Sequence, residues 1–205
     1  DPALARMLVA AAKESALTEV LIIAAALSVQ DPRNRPHDKQ QESQLAHEKF
    51  ADSQSEFLSF VKMWAFYEEA LKHKKSNRKF DQMLIENFLS PLRMREWRDV
   101  HSQLSEMVTS LGLLLNETPA RFENVHRALL TGLLANIGTK ALEGDHYLGT
   151  RALKFQLPRA AQQHAGQKAT RMKWVMAAEL TETSRVYART VASIEPEWIE
   201  QLAAH

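Results

Sequence analysis

Glycine is distributed unevenly along this chain, and the distribution separates two kinds of sequence. Five of the six glycines lie beyond Leu130. From Asp1 to about Asn136, apolar residues recur at intervals of three and four, which is typical of helices that bury one face. Beyond that point the apolar runs are short and alternate with polar residues, which is typical of strands. The sequence therefore predicts an α+β protein with a helical part followed by a small β part.

The helical part predicts six helices. Asp1 is expected to cap the first, with Pro2 at its first position, and Thr18 to cap a second over Glu19 to Ser28. The segment "VLIIAAAL" of the second helix is apolar all round, which predicts burial on every side. The turn "DPRNRP" ends it. The other predicted helices are a polar one from about Asp38 to Phe50, an aromatic one from Ser55, a long one over "ENFLSPLRMREWRDVHSQLSEMVTSLG", and one from about Pro119 to Leu134.

The stretch from Lys173 to Ala203 admits two interpretations, one long helix or a hairpin. Its alanines and glutamates suit a helix, but Arg185 to Ile194 has no continuous apolar arc at a helical period. At a period of two, one face carries Val186, Ala188, Thr190, Ala192 and Ile194, and the other carries Arg185, Tyr187, Arg189, Val191 and Ser193. We therefore predict a hairpin with "TETS" at its turn, followed by a short helix with Pro196 near its start. Together with "IGTKAL", "YLGT" and "ALKFQL", it predicts a five-stranded OB-fold barrel.

Composition excludes several classes of protein. The net charge is +1, so any nucleic-acid surface must be a local patch rather than a global basic field. The chain has no cysteine, which excludes disulfides and thiolate metal sites and fits a reducing compartment such as the cytoplasm. No apolar run reaches the length of a membrane span, so no membrane partner is expected. The start at Asp1-Pro2, without a methionine, suggests a piece of a longer protein.

Motifs for catalysis are not found in the sequence. There is no GxxxxGK[ST] loop and no DEAH tetrad, so ATP hydrolysis by this chain is not expected. "HEKFA" at His47 lacks the second histidine of a zinc protease, and the eight histidines show no metal-ligand spacing. There is no GxSxG elbow. We therefore predict no catalytic residue, metal or cofactor within these 205 residues.

Five stretches in order resemble the region that follows the motor domains of DEAH-box RNA helicases. They are "DPALARMLVAAA", "EVLIIAAALSVQDPRNRP", "ENFLSPLRMREWRDVHSQL", "ALLTGLLANIG" and "KWVMAAELTETSRVYARTVASIEPEWIE". The turn "DPRNRP" resembles the sequence found at this place in the bacterial HrpA-type branch of the family. The segment "FQLPRAAQQHAGQKATRMKW" departs from the family pattern, so contacts from that segment are not transferred.

The resemblance implies a ratchet-like helical domain over residues 1–118 and an OB-fold domain over residues 119–205. It implies that the parent protein is an ATP-dependent RNA helicase whose motor domains, in the same chain, bind ATP and Mg²⁺. It also implies that this region helps to close a channel over single-stranded RNA, contacting the backbone and stacked bases without reading sequence.

Candidate RNA-binding groups follow from these expectations. In the helical part they are Arg93, Arg95 and Arg98; in the OB part they are Lys140, Arg151, Lys154, Lys173, Thr181, Thr183, Ser184 and Arg185, with Tyr147 and Tyr187 as possible stacking platforms.

Several of these residues have an alternative structural interpretation. Arg95 could instead pair with Asp99 at i,i+4, and Arg93 could lie at a domain interface with its stem on apolar surface. "KHKKSNRK" could be a solvated loop or an RNA contact, and Trp174 could be core or platform. Trp64, Trp97 and Trp198 are predicted to be core residues.

A hypothesis of a different class is a protein-interaction module. In eukaryotic relatives this region receives protein activators, so the chain could serve as a docking platform for activators or for ribosome-associated partners. RNA binding that weakens steeply with salt would favour the first hypothesis over the second.

Overall fold

The structure is a computed structural model of the chain, and residues 1–157 and 172–204 are described. These residues form two compact units. The barrel unit comprises Asp1–Val20, Asp52–Phe57 and Leu113–His205, and the helical unit comprises Leu21–Ala51 and Leu58–Gly112. The predicted domain limits, 1–118 and 119–205, stay a prediction.

In the described residues, helices precede a five-stranded sheet, which confirms the predicted α+β class. Within the described ranges the helices are α1 (Pro2–Lys13), α2 (Leu17–Leu27), α3 (Gln40–His47), α4 (Glu56–Lys72), α5 (Asn77–Glu86), α6 (Pro91–Ser110), α7 (Phe122–Leu130) and α8 (Pro196–Ala203). The strands are β1 (Ile137–Lys140), β2 (Tyr147–Gly149), β3 (Lys154–Phe155), β4 (Trp174–Glu182) and β5 (Val186–Ser193). None of the helices in these ranges is both long and apolar enough to cross a membrane.

Aromatic residues of α4 and α6 form the core of the helical unit. Trp97 is fully buried, and its indole N–H donates to the Ile22 carbonyl at 3.0 Å. Trp64 packs against it with 5.0 Å between the ring centroids. Both tryptophans are core residues, as their spacing predicted. The α2 backbone supplies the acceptor that the buried Trp97 indole needs.

The turn "DPRNRP" is a structural junction within the helical unit. The Asp31 carboxylate accepts hydrogen bonds from the Arg33 backbone N–H and from its guanidinium, at 2.8 to 3.0 Å. Burial opposes ionisation, yet the Arg33 charge and hydrogen bonds hold the pKa of Asp31 below its ordinary 3.8. The turn also pairs with the segment before α6, since Ser90 N–H donates to the Pro32 carbonyl and Asn34 N–H to the Phe88 carbonyl.

This pairing interrupts the long helix that the sequence predicted from Glu86 onward. α5 ends at Glu86, Phe88 has a left-handed backbone with φ of 55°, and Ser90 caps α6 at Pro91. The prediction of one continuous helix was wrong because the backbone of residues 88–90 bonds to the turn instead. The helix α5 itself was missed; its signal was Ser76, whose hydroxyl accepts from the Lys79 N–H.

The sheet of the barrel unit has the strand order β3-β2-β1-β4-β5 and is antiparallel throughout. It curls until the residue after β3 reaches β5. Gln156 N–H donates to the Val186 carbonyl, and Ala188 N–H donates to the Gln156 carbonyl, in a parallel bridge. Farther along the free edge of β5, the Ser193 N–H donates to the Gln54 carbonyl and the Val191 N–H donates to the Glu56 carboxylate. A curled sheet with satisfied edges is the expected OB-fold architecture.

The C-terminal stretch is a hairpin followed by a helix, as predicted. β4 and β5 pair from Val175 with Ser193 to Glu182 with Val186. The predicted division of faces is wrong at Val191, which is fully buried together with Ala188 and Ala192. Thr190 explains the difference, because its φ of 57° lies in the left-handed region and breaks the two-residue alternation at that point.

Gly138 is required by the packing of the barrel core. A Cβ atom on Gly138 would lie 2.5 Å from Phe155 Cζ and 3.2 Å from the Leu148 carbonyl oxygen. The Phe155 ring is buried and stacks on Tyr147, so it has no room to move away.

We expect Gly138→Ala to lower the free energy of unfolding by about 1–3 kcal/mol, the cost of overpacking a core. Urea denaturation followed by circular dichroism measures the change. Thr139→Ala, on the opposite face of the same strand, is the matched control and should change stability much less. Equal stability of Gly138→Ala and the unaltered chain would contradict this packing role.

Candidate nucleic-acid interface

The basic run "KHKKSNRK" lies where α4 meets α5, and all of its residues are exposed. The connection between the two helices is only residues 73–76, since Asn77 already belongs to α5. The Lys74 ammonium lies 5.4 Å from the centroid of the Phe80 ring. The run thus comprises the end of α4, a short connection and the start of α5, with Lys74 near the Phe80 ring.

α6 brings two further cations to the same place. A groove of about 390 Å³ is lined by Lys74, Arg95 and Arg98, together with Asn77 and Asp81 of α5. Its floor is apolar and includes Tyr67, Phe80 and Pro91. We call this feature the basic groove. Arg95 and Arg98 were candidates from sequence, whereas their proximity to Lys74 depends on how α6 packs beside α5.

Arg95 pairs with Asp81 of α5 rather than with Asp99 of its own helix. The Arg95 Nη1 atom lies 3.6 Å from Asp81 Oδ1, and both side chains are about half exposed. An ion pair of this kind contributes roughly 0–1 kcal/mol. The pairing is weak enough for a phosphate to compete for the guanidinium.

The Arg93 side chain contacts the "DPRNRP" turn rather than the basic groove. Its guanidinium donates to the Asp31 carbonyl at 3.2 Å, and its backbone N–H donates to the Ser90 hydroxyl that caps α6. It therefore joins the start of α6 to the "DPRNRP" turn. The structure gives Arg93 a positioning contact, and an RNA contact for it stays a prediction.

The basic candidates of the barrel unit do not converge on one point. Arg151 is exposed in the turn between β2 and β3, Lys154 is exposed on β3, and Lys173 is exposed directly before β4. Lys140 ends β1, and its ammonium donates to the Gly144 carbonyl in the loop that follows. Lys173 and Lys140 are neighbours across the strands, because Lys140 N–H donates to the Lys173 carbonyl.

The turn of the β4–β5 hairpin holds the remaining candidates. Ser184 and Arg185 are exposed. Thr183 donates both its backbone N–H and its hydroxyl to the Arg185 carbonyl, so its hydroxyl serves the turn. The Thr181 hydroxyl is buried and is therefore poorly placed to donate to a ligand.

Tyr147 is not a stacking platform, and that prediction was wrong. Its side chain is 1% exposed, its ring stacks on Phe155, and its hydroxyl donates to the Met172 carbonyl at 2.6 Å. Burial raises the pKa of Tyr147 to about 12. The alternation of β2 turns this ring into the barrel, while Tyr187 stays half-buried on β5.

Comparisons with known proteins match two parts of the sequence. Residues 1–84 match the helicase-associated domain (HA2), ratchet-like, and residues 125–205 match an oligonucleotide/oligosaccharide-binding (OB)-fold. The whole chain is 44% identical to the ATP-dependent RNA helicase HrpA of Escherichia coli (strain K12) over 205 residues. The chain is an accessory region of the DEAH-box RNA helicase family.

Two further relatives of this family cover nearly all of the chain. It is 43% identical over 205 residues to the ATP-dependent RNA helicase HrpA homolog of Haemophilus influenzae. It is 25% identical over 203 residues, or 99% of the chain, to the pre-mRNA-splicing factor ATP-dependent RNA helicase prp22 of Schizosaccharomyces pombe. The chain spans only 15% to 16% of the length of these helicases. These matches confirm the resemblance to an HrpA-type accessory region that the sequence indicated.

Sequence reasoning missed the position of Lys74 and Asn77 in this DEAH-box accessory region. The charge of the run was visible, but its place beside Arg95 and Arg98 depends on the packing of α5 against α6. Among the residues that the structure describes, no group of three or more acidic, histidine or cysteine side chains could hold a metal ion.

Proposed function

We propose that this region binds single-stranded RNA through its phosphates and helps to form the RNA channel of an ATP-dependent DEAH-box helicase. On this proposal the motor domains of the parent chain bind ATP and Mg²⁺ and pack against the region, in the cytoplasm. The region itself contributes affinity and position rather than chemistry.

The observation that carries the proposal is the convergence of cations on the basic groove. Arg95, Arg98 and Lys74 come from two separate parts of the sequence and face one concave surface. Arginine guanidinium groups bind phosphate oxygens in a bidentate manner, and contacts to phosphate position a strand without reading its sequence. A net charge of only +1 makes such a local concentration of cations more informative, since the surface as a whole is not basic.

Reversal of the two arginines tests the proposal. We expect Arg95→Glu with Arg98→Glu to weaken binding of a fluorescent oligouridylate at least about tenfold, the value of one charge-assisted hydrogen bond. Fluorescence anisotropy across a salt series should also show that the affinity of this variant for RNA depends less steeply on salt concentration. The log–log slope should fall by about 0.7 for each phosphate that the variant no longer neutralises.

A matched control separates local contact from net charge. Arg6→Glu with Lys39→Glu changes the charge by the same amount at two exposed positions, Arg6 on α1 and Lys39 just before α3, and should retain most of the affinity. If both pairs weaken binding equally, the groove has no special role. If the unaltered chain binds no RNA at any salt concentration, RNA binding itself is wrong, and docking of activators or ribosome-associated proteins becomes the better hypothesis.

A further inference from the structure

The helical unit has a second groove, of about 570 Å³, between α4 and α5. Its apolar lining comes from both helices and comprises Phe66, Ala70, Phe80 and Met83. Phe66, Ala70 and Met83 pack against the core of the helical unit yet stay half-buried. We call this feature the apolar groove. Phe80 also lines the basic groove, whereas Phe66 and Met83 line the apolar groove and not the basic one.

The apolar groove follows α5 for about two turns. Its lining runs from Lys79, in the first turn of α5, to Asn87, directly after the helix ends. A rise of about 1.5 Å per helical residue makes this distance about 12 Å. Apolar side chains at positions i, i+4 and i+7 of a helix span about 10.5 Å. One face of a short amphipathic helix therefore matches the groove in length, as in other grooves that bind a helix by its apolar face.

Lysine side chains border the groove at both ends. Near the start of α5 the groove is lined by Lys74 and Lys79. At the other end of α5 the Lys49 ammonium donates to the Asn87 side chain. Glu69 is the one carboxylate among the described residues that line the groove, and it pairs with the lysine three residues further along α4. The border thus carries an excess of positive charge, which is complementary to an acidic partner.

The aromatic rings of the groove are poor platforms for a nucleic-acid base. Phe80 is only 8% exposed. The Lys49 ammonium lies 4.8 Å from the centroid of the Phe66 ring, and Phe50 packs edge-on against the same ring at 5.4 Å. Base stacking needs an open aromatic face, whereas the flexible thioether of Met83 adapts to apolar side chains of varied shape. Apolar side chains of a protein therefore suit this lining better than RNA does.

We propose that the apolar groove binds an acidic amphipathic helix of a protein partner. The apolar face of that helix packs on Phe66, Phe80 and Met83, and its carboxylates pair with Lys49 and Lys79. Burial of the apolar face supplies the affinity, while the exposed ion pairs fix the orientation of the helix and select acidic partners. The inference goes beyond the proposed function and does not require the basic groove to bind RNA.

NMR of the complete chain with isotope-labelled methionine methyl groups tests the location. The probe is a synthetic helical peptide with leucine at i, i+4 and i+7 and glutamate at both ends. We expect it to shift the methyl resonance of Met83, which is identified by its loss in Met83→Leu. Met94, fully buried in the same unit, should shift much less. The same peptide with alanine in place of leucine should cause no shift.

Fluorescence anisotropy with the labelled peptide measures the effect of charge. Met83→Glu should weaken binding about tenfold or more, because it places an unpaired charge against the apolar face of the peptide. Ile85→Glu is the matched control, since that side chain is on the same helix, is 53% exposed and does not line the groove. Lys49→Glu with Lys79→Glu, at two exposed positions, should weaken binding of the acidic peptide and strengthen binding of a peptide with lysine at both ends.

Several results would overturn the inference. They are no Met83 shift at millimolar peptide, an equal shift with the leucine-free peptide, and equal affinities of Met83→Glu and Ile85→Glu. A Met83 shift caused by oligouridylate instead of the peptide would assign the groove to RNA. A Met83 shift that depends on chain concentration, with a dimer in sedimentation velocity, would make a second copy of the chain the occupant. Failure of the proposed function is a separate result, because oligouridylate binding is measured without the peptide.

Discussion

Replacement of Trp97 by alanine is expected to lower the free energy of unfolding by about 3–5 kcal/mol, the usual cost of deleting a large buried aromatic side chain. The indole is fully buried and contacts the rings of Phe60 and Trp64. Its removal leaves a cavity in the helical unit and also deprives the Ile22 carbonyl of a hydrogen bond. Urea denaturation followed by far-ultraviolet circular dichroism measures the loss.

Two further variants serve as comparisons for Trp97→Ala. Leu92→Ala lies on the same helix at a position that is 58% exposed, and it should change stability by less than about 0.5 kcal/mol. Trp97→Phe retains much of the volume but loses the hydrogen bond, so an intermediate loss is expected. A loss below about 1 kcal/mol for Trp97→Ala would show that α6 does not depend on this packing.

Acid is expected to destabilise the chain strongly between pH 6.5 and about 4, through two buried histidines. In the helical unit, His47 Nε2–H donates to the Phe88 carbonyl at 3.0 Å. In the barrel unit, His126 Nδ1–H donates to the Phe122 carbonyl at 2.7 Å, and Nε2 accepts from the Ser55 hydroxyl at 2.6 Å. Burial lowers the pKa of each histidine from 6.5 to about 4.

The direction of the change in stability with pH follows from proton uptake by the folded and unfolded chains. Above pH 6.5 both histidines are neutral whether the chain is folded or unfolded, and their full contribution to stability is present. As the pH falls through 6.5, the unfolded chain takes up protons that the folded chain does not, so stability drops by about 1.4 kcal/mol per pH unit for each histidine. The loss from each levels off near pH 4, at about 3 kcal/mol.

Urea midpoints measured from pH 7.5 to 4.5 test this expectation. His126→Gln should cost stability at pH 7.5 but reduce the acid-dependent loss, because one of the buried titrating histidines is gone. Leu92→Ala is the control, since that side chain is exposed and does not titrate, and it should leave the pH dependence unchanged. An identical pH profile for His126→Gln and the unaltered chain would refute the assignment.

Element type was predictable because it depends on residues close together in sequence. The two-residue alternation after Arg185 predicted the hairpin, and β4 and β5 confirm it. Trp64, Trp97 and Trp198 were predicted to be core residues, and all three are buried. The five stretches that resemble DEAH-box helicases also predicted the family, which the comparisons confirm.

The errors arose where a distant segment changes the local backbone or the environment of a side chain. The predicted helix across Leu89 is broken because residues 88–90 bond to the turn at Pro32 to Asn34. Arg95 pairs with Asp81 because α5, which the sequence did not reveal, lies beside α6. Tyr147 became a core residue because the register of β2 with β3 places it opposite Phe155.

The sequence by itself thus determined the succession of helices and strands, the family, and the charged residues available for RNA. Only the tertiary structure decided that Lys74 shares a groove with Arg95 and Arg98, and that Tyr147 pairs with Phe155 across the sheet. The physical reason is the distance along the sequence over which each feature is set. Periodicity and capping are set within one or two turns of the chain, whereas helix contacts and cross-strand register are set by packing between residues far apart in sequence.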